Sequence, residues 1–301
     1  MTMQLDYEYL SRIRRAVALY TNRKTSNILD GDFHSIHRGR SMEFDDLKEY
    51  SFGDDVHDID WKSSSRMGDI LVRRYMTDRR HNVMFVGDCG SKMTGDSASG
   101  QSKKDLALMT FGTIAYITGR NGADYALSFA DGDKSMISLF RSGADHLEKL
   151  LYAYEQRITF DQDRNVMDVL DEVMGTVHKK MIIFLITDFE GLEKLDGNKL
   201  RAITSDHDLL VINIEDAMLT GDYTYDNDIS MYERLFFSQN KKLHQEELRI
   251  RKEVMEDASL ICKQNRVGLT SIGSEEKIID ATIDLLERYR HGYYGYITRT
   301  I

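Results

Sequence analysis

From Asn82 onward the chain alternates two patterns. Short apolar runs give way to longer stretches in which apolar residues return every three or four positions. The runs fall at 83–87, 124–130, 135–140, 181–187, 209–214 and 267–272. Each is partly β-branched or aromatic, as strands buried on both faces are. The periodic stretches fall at 103–118, 144–156, 166–178 and 194–204, then within 230–264, and finally at 275–290. In the second of these, Leu147, Leu150, Leu151 and Tyr154 make one apolar stripe, enough to seat a helix on a sheet.

Strand–helix alternation predicts an α/β fold, a doubly wound and mostly parallel sheet with helices on both faces. The stretch ADYALSFADGDKSMISLF departs from it. Two runs flank Asp131-Gly132-Asp133, which reads as a hairpin, so one edge strand should be antiparallel. Residues 1–80 read differently again, an amphipathic helix followed by a polar, irregular segment. The expected division is residues 1–80 packed on an α/β domain of residues 81–301. No repeat, low-complexity tract or flexible linker interrupts it.

Composition narrows the partners. With 41% hydrophobic and 30% charged residues among 301, the chain reads as an ordinary globular protein. A net charge of −10 gives no pull toward nucleic acid or anionic lipid. No apolar run approaches the roughly 20 residues of a membrane span. The arginines near the start sit inside an amphipathic pattern, unlike a signal peptide. Two cysteines without zinc spacing fit a reducing, cytoplasmic setting. Proline is absent, so turns rest on Gly, Asn and Asp.

In a doubly wound sheet, ligands sit at the carboxyl ends of the strands. Two aspartates fall there, Asp88 after VMFVG and Asp188 after MIIFLIT. Such a pair can hold Mg²⁺, or each can cap a neighbouring helix. Gly95 to Ser102 has the glycines and hydroxyl of a phosphate loop, but Gln101 stands where lysine must be. Cys89 follows the strand with no nearby histidine to activate it, and reads as a small buried residue. His34 and His37 have helical metal spacing without a third ligand. The run KKLHQEELRIRKE, from Lys241, mixes charges as the wet face of a long helix does. The densest stretch is FGDDVHDIDWKSSSR, Phe52 to Arg66. A loop pinned by Asp–Arg pairs, with Trp61 wedged into the core, accounts for it.

These last residues resemble a known signature. Glu43-Phe44-Asp45-Asp46-Leu47-Lys48-Glu49-Tyr50, Gly53-Asp54-Asp55, Ile59-Asp60-Trp61-Lys62 and Ser65-Arg66 resemble that of the bacterial domain-of-unknown-function 58 family. The motif there reads roughly E-F-x-x-L-R-E-Y-x-x-G-D-D-x-R-x-I-D-W-K-x-S-A-R, so Lys48, His57 and Ser65 depart from it. The resemblance implies a von Willebrand factor A-like fold after the signature. It also implies joint action with a MoxR-type AAA+ ATPase in assembling or activating other proteins. Many members carry membrane helices, which this chain does not show.

An A-like domain usually holds a divalent cation through D-x-S-x-S, a threonine and a second aspartate. Carried over, Asp88 and Asp188 match the aspartates, while Gly90 and Lys92 replace the serines. The threonine position falls near Arg164-Asn165. The resemblance thus implies a degenerate metal site without Mg²⁺, Lys92 neutralising the carboxylates and repelling a cation. Ser91 or Thr94 could restore a hydroxyl only through a shifted loop. The expected function is a non-catalytic adaptor docking through Asp88, Ser91, Lys92 and Asp188, with a partner's acidic residue on Lys92. The alternative is a metal-dependent hydrolase using Asp88, Asp188 and Asp54 or Asp55, for which Glu190 is the nearest base.

Overall fold

Hydrophobic stripes and apolar runs decide which segments become helices and strands, and a computed structural model shows where they go. It describes residues 8–21, 44–51, 56, 59–75, 82–159, 164–220, 224–226, 231–233 and 241–296. The elements are α1 (Glu8–Thr21), β1 (Phe44–Glu49), α2 (Trp61–Met67), β2 (Leu71–Tyr75), β3 (Asn82–Gly87), α3 (Lys103–Arg120), β4 (Asp124–Asp131) and β5 (Lys134–Ile137). They continue with α4 (Ala144–Glu155), α5 (Val166–Thr176), β6 (Ile182–Asp188), α6 (Phe189–Glu193), α7 (Gly197–Thr204) and β7 (Asp208–Ile214). Last come β8 (Thr224–Asp226), β9 (Met231–Glu233), α8 (Lys241–Gln264), β10 (Gly268–Ile272) and α9 (Ile278–Arg290).

The main sheet has six strands in the order β10-β7-β6-β3-β4-β5. All neighbours are parallel except β4 and β5, whose hairpin makes the expected antiparallel edge. This is the expected doubly wound, mostly parallel arrangement, and its winding reverses between β3 and β6. The chain leaves β3 for β4 on one side and β6 for β7 on the other, which opens a crevice at their carboxyl ends.

The two sheet faces carry different cores because alternate residues of each strand point opposite ways. One face is aromatic: Phe85 stacks on Phe184 at 5.3 Å and meets Phe111 of α3 edge-on at 5.0 Å. Tyr154 of α4 lies against Phe111 and Phe129 there. The opposite face is aliphatic, joining Met84, Val86, Ile183 and Leu185 to Val169, Leu170, Leu200 and Cys262 from α5, α7 and α8. Helix α3 is buried along most of its length, and α1, α4 and α9 all pack on it. Leu10, Ile13 and Val17 form the stripe that seats α1. Gly112 makes room for it, since a Cβ there would lie 2.3 Å from Ile13 Cδ1.

Two compact units emerge, residues 34–80 and the remainder, so α1 groups with the sheet rather than with the signature. The smaller unit pairs β1 with β2 in antiparallel register, Lys48 opposite Val72 and Glu49 opposite Leu71. Asp60 caps α2, accepting from the Lys62 and Ser63 amides. Ser64 ties the helix inward, donating to Asp60 O at 2.7 Å and accepting from the Leu71 amide at 2.9 Å. Trp61 therefore does not wedge into a core; it is 67% exposed, because Ser64 is the residue that faces β2. Tyr50 donates its amide to Ile70 O. Gly53, Asp54 and Asp55 lie outside the described residues, as do His34 and His37.

Other boundaries also moved. The helix expected over 194–204 begins three residues later, at Gly197, because Asp196 caps it through the amides of Asn198 and Lys199. The run expected to reach 140 leaves regular pairing after Ile137, although Ser138 and Arg141 still bond back to β4. Before α8, Met231–Glu233 pairs with Thr224–Asp226, a hairpin that the sequence reading did not separate.

Gly87 closes β3 against the Tyr154 ring, and a Cβ there would lie 2.5 Å from Cζ. Gly87→Ala should therefore lower stability by about 1–3 kcal/mol through overpacking. Exposed Gly175 in α5 has open space around it, and Gly175→Ala should raise stability by about 0.5–1 kcal/mol. Urea denaturation would check both signs.

Candidate functional site

The crevice between β3 and β6 is occupied by charge. Asp88 and Asp188, on neighbouring strands, are each 1% exposed. Asp88 Oδ1 accepts from the Cys89 amide at 2.9 Å, and Oδ2 accepts from the Thr187 hydroxyl at 2.6 Å. Lys92 Nζ lies 2.9 Å from the same Oδ2. The Asp88 carbonyl accepts from the Tyr154 hydroxyl at 2.8 Å. Burial pushes the Asp88 carboxyl up to about 6; Lys92 pulls it down, Asp188 pushes it up and the Thr187 hydroxyl pulls it down.

Asp188 has a different partner. Its Oδ2 accepts from Lys103 Nζ at 2.7 Å, and its Oδ1 accepts from the Gly191 amide at 3.1 Å, capping α6. Lys103 also pairs with Asp216 beyond the end of β7. Asp216 Oδ2 accepts from the Phe189 amide, and its carbonyl accepts from Arg251 of α8 at 3.1 Å. Burial pulls the Lys103 ammonium down, but Asp188 and Asp216 outweigh it and raise it overall. Burial also pulls Lys92 down, and Asp88 with Asp188 again prevails. Asp216 is itself held above the usual carboxylate range, chiefly by burial against the pull of Lys103. Three carboxylates thus share two internal ammonium groups.

Backbone geometry makes this arrangement. Gly90 has φ 104° and ψ −177°, a region essentially reserved for glycine, so serine at that position would be strained. The turn Ser91–Met93 then brings Lys92 back over Asp88. Gly191 is equally constrained, as a Cβ there would lie 1.7 Å from the Thr187 hydroxyl oxygen. Lys103 opens α3 directly after the Ser102 cap, the end of a helix where a cation is disfavoured unless acids receive it.

Lys92, expected to offer its charge to a partner, spends it on Asp88 instead. Its nitrogen is enclosed. Of the expected docking residues, Ser91 is exposed. Arg164 pairs with Glu172 and Ser135, while Asn165 caps α5, so neither turns its polar group to Asp88. Glu190 pairs with Lys194. Cys89 is 2% exposed, and burial pushes its thiol well above the ordinary range, as suits a packing residue.

The loop resembling a phosphate cradle has spent its amides. Ser97 N donates to Gln101 O, Ala98 N to Glu215 O, Gly100 N to Ser97 O and Lys103 N to Gly95 O. It lies across the ends of β7 and β10, with the Ser97 hydroxyl on Gly273 O at 3.1 Å. An open cleft of about 590 Å³ lies instead at the amino ends of β6 and β7, near His178 and His207, and contains none of the expected residues.

Lys103, Asp216 and Thr187 were missed by sequence reasoning. Two signals existed, a lysine at the start of a helix and a third strand-end acid in INIED. A carboxyl near 6 could serve general acid–base chemistry. Asp88, however, is enclosed; its oxygens accept from the Cys89 amide and the Thr187 hydroxyl, and Lys92 pairs with it.

Residues 46–224 match the family described as "Protein of unknown function DUF58". Uncharacterized proteins of Mycobacterium bovis and Mycobacterium tuberculosis are each 24% identical over 214 residues, 70% of this chain and 67% of theirs. Among solved structures, the PilB minor pilin from Streptococcus sanguinis aligns with TM-score 0.44 and 11% identity, covering 74% of this chain and 65% of its own. A von Willebrand factor type A protein from Catenulispora acidiphila aligns at 0.37 and 7%, covering 74% and 44%. This chain spans less than two thirds of either structure. Among the described residues, no helix is long and apolar enough to cross a membrane.

Removing one ammonium should expose the cost of the buried acids. Lys103→Met should lose about 3–5 kcal/mol, as breaking a buried pair does, and Lys103→Met/Asp188→Asn should recover part of it, both read by urea denaturation. Carboxyl NMR should place the Asp88 midpoint near the value of about 6, and Lys92→Met should move it higher. Because this folded value is raised, the native state binds the proton more tightly than the unfolded chain. The Asp88 contribution to stability should therefore fall as pH rises from about 4 to about 6.

Proposed function

The chain belongs to the DUF58 family, and on that footing we propose that it is a non-catalytic interaction module acting with a MoxR-type AAA+ ATPase on other proteins. One observation carries the reading. The aspartates at the switch point already hold internal counter-ions, Lys92 on Asp88 and Lys103 on Asp188. The ammonium groups do the electrostatic work that a divalent cation would do, and Mg²⁺ would have to displace them against their own repulsion. We read the edge as a degenerate metal site whose loops are held in one conformation from within. A partner meets the rim, at Ser91 and its neighbours, and Asp88, Lys92 and Asp188 set the shape it meets.

The rival reading, a metal-dependent hydrolase, has the raised Asp88 carboxyl in its favour and the enclosure of both aspartates against it. In the cell we place the protein in the cytoplasm, beside the ATPase.

A tagged chain of these 301 residues, incubated with native lysate, should retain an AAA+ ATPase equally with chelator and with Mg²⁺. In parallel, Mn²⁺ electron paramagnetic resonance should show no bound ion at millimolar metal. Bound Mn²⁺ that Asp188→Asn abolishes would overturn the metal-free reading. Phosphoester turnover with Mn²⁺ that the same variant abolishes would replace the adaptor with the hydrolase. Absence of any ATPase in both arms would remove the partner.

A further inference from the structure

The smaller unit presents a surface that the strand-end site does not use. Helix α2 is short but pinned at both ends, by the Asp60 cap and by Gly68, whose φ of 86° lets its amide return to Ser64 O. Its inner side is committed to β2 through Ser64. Positions i, i+1, i+4 and i+5 of a helix share a face, and here they are Trp61, Lys62, Ser65 and Arg66, all exposed. Apolar side chains continue at its margins, with Met67 73% exposed and Ile70 49%.

An indole left in water on a rigid helix is the kind of residue that carries binding energy at an interface, and Arg and Met are enriched there with it. The charges select among occupants. The helix WKSSSRM bears two cations and no acid, in a chain whose net charge is −10. Asp60 turns one carboxylate oxygen to the backbone amides of the helix, and exposed Asp69 lies beyond Gly68, between Met67 and Ile70. At physiological salt, charges beyond about 8 Å are screened, so the local pair rather than the net charge greets a partner. That pair complements an acidic protein segment.

We propose that the outer face of α2, with Trp61 at its centre and Lys62 and Arg66 beside it, is a docking surface for an acidic protein segment that lays an apolar side chain on the indole. The proposal does not rest on the strand-end edge binding an ATPase.

Trp61 is the single tryptophan, so its fluorescence reports on this face alone. The full chain is titrated with a short amphipathic helical peptide of Glu and Leu, with its Lys-for-Glu counterpart, and with vesicles of phosphatidylglycerol. The acidic peptide should shift the indole emission to the blue and shield it from acrylamide, while the other two should not. With a fluorescein-labelled acidic peptide, Trp61→Ala should weaken binding roughly tenfold or more, as loss of a hot spot does. Lys62→Glu/Arg66→Glu should do likewise. Arg249→Glu/Lys252→Glu on α8, with the same change in net charge, should not. Circular dichroism would confirm that the variants fold, as expected for exposed positions. An indole that stays exposed to quencher with the acidic peptide would overturn the proposal. So would equal binding of the basic peptide, a response to vesicles alone, or equal loss in the α8 control.

Discussion

Two carboxylates buried at the edge of a core are expensive, by several kcal/mol each, unless opposite charge goes with them, and here a half-buried third stands beside them. The carboxyl edge of this sheet is arranged around that requirement. Lys92 returns over Asp88 only because Gly90 adopts a backbone conformation closed to other residues. Lys103 reaches Asp188 and Asp216 because the loop from Gly95 to Ser102 lies across β7 and β10 before α3 begins. Thr187 can donate to Asp88 because Gly191 has no side chain to displace it. Each device is local, and each serves the same charge balance.

That balance changes what the switch point offers. In a doubly wound fold the crevice at the strand ends is where ligands usually sit, because strand ends and loops converge there around open space. Here protein atoms fill it. Asp88 and Asp188 are enclosed, and the Tyr154 ring lies beneath Gly87 with its hydroxyl on the Asp88 carbonyl. The edge is neutralised from within, each aspartate held by its own lysine.

The signature segment shows a different economy. Its short helix directs Ser64 inward and its largest side chain outward. The stretch that is densest in charge therefore does not build a core around Trp61; Asp60 caps the helix and the indole stays in water.

Much of the architecture was legible from pattern alone. The strands and their mostly parallel order follow from apolar runs separated by periodic stretches, and Asp131-Gly132-Asp133 marked the antiparallel edge through turn chemistry. These signals are local, written within a few residues, so the chain carries them before it folds. Asp88 and Asp188 were found for the same reason, as acids closing apolar runs. Their partners could not be. Lys103 and Asp188 are 85 positions apart, and Asp88 and Thr187 are 99 apart. Lys92 is near enough in sequence to suspect, yet whether it faces Asp88 or a partner depends on the φ of Gly90 and on the space left above β6. Trp61 was misread because an aromatic residue looks like core until the register of its helix is known. Pairings across the sheet, and the direction each side chain takes, are settled only when distant strands are brought side by side, and that packing was decided by the tertiary structure.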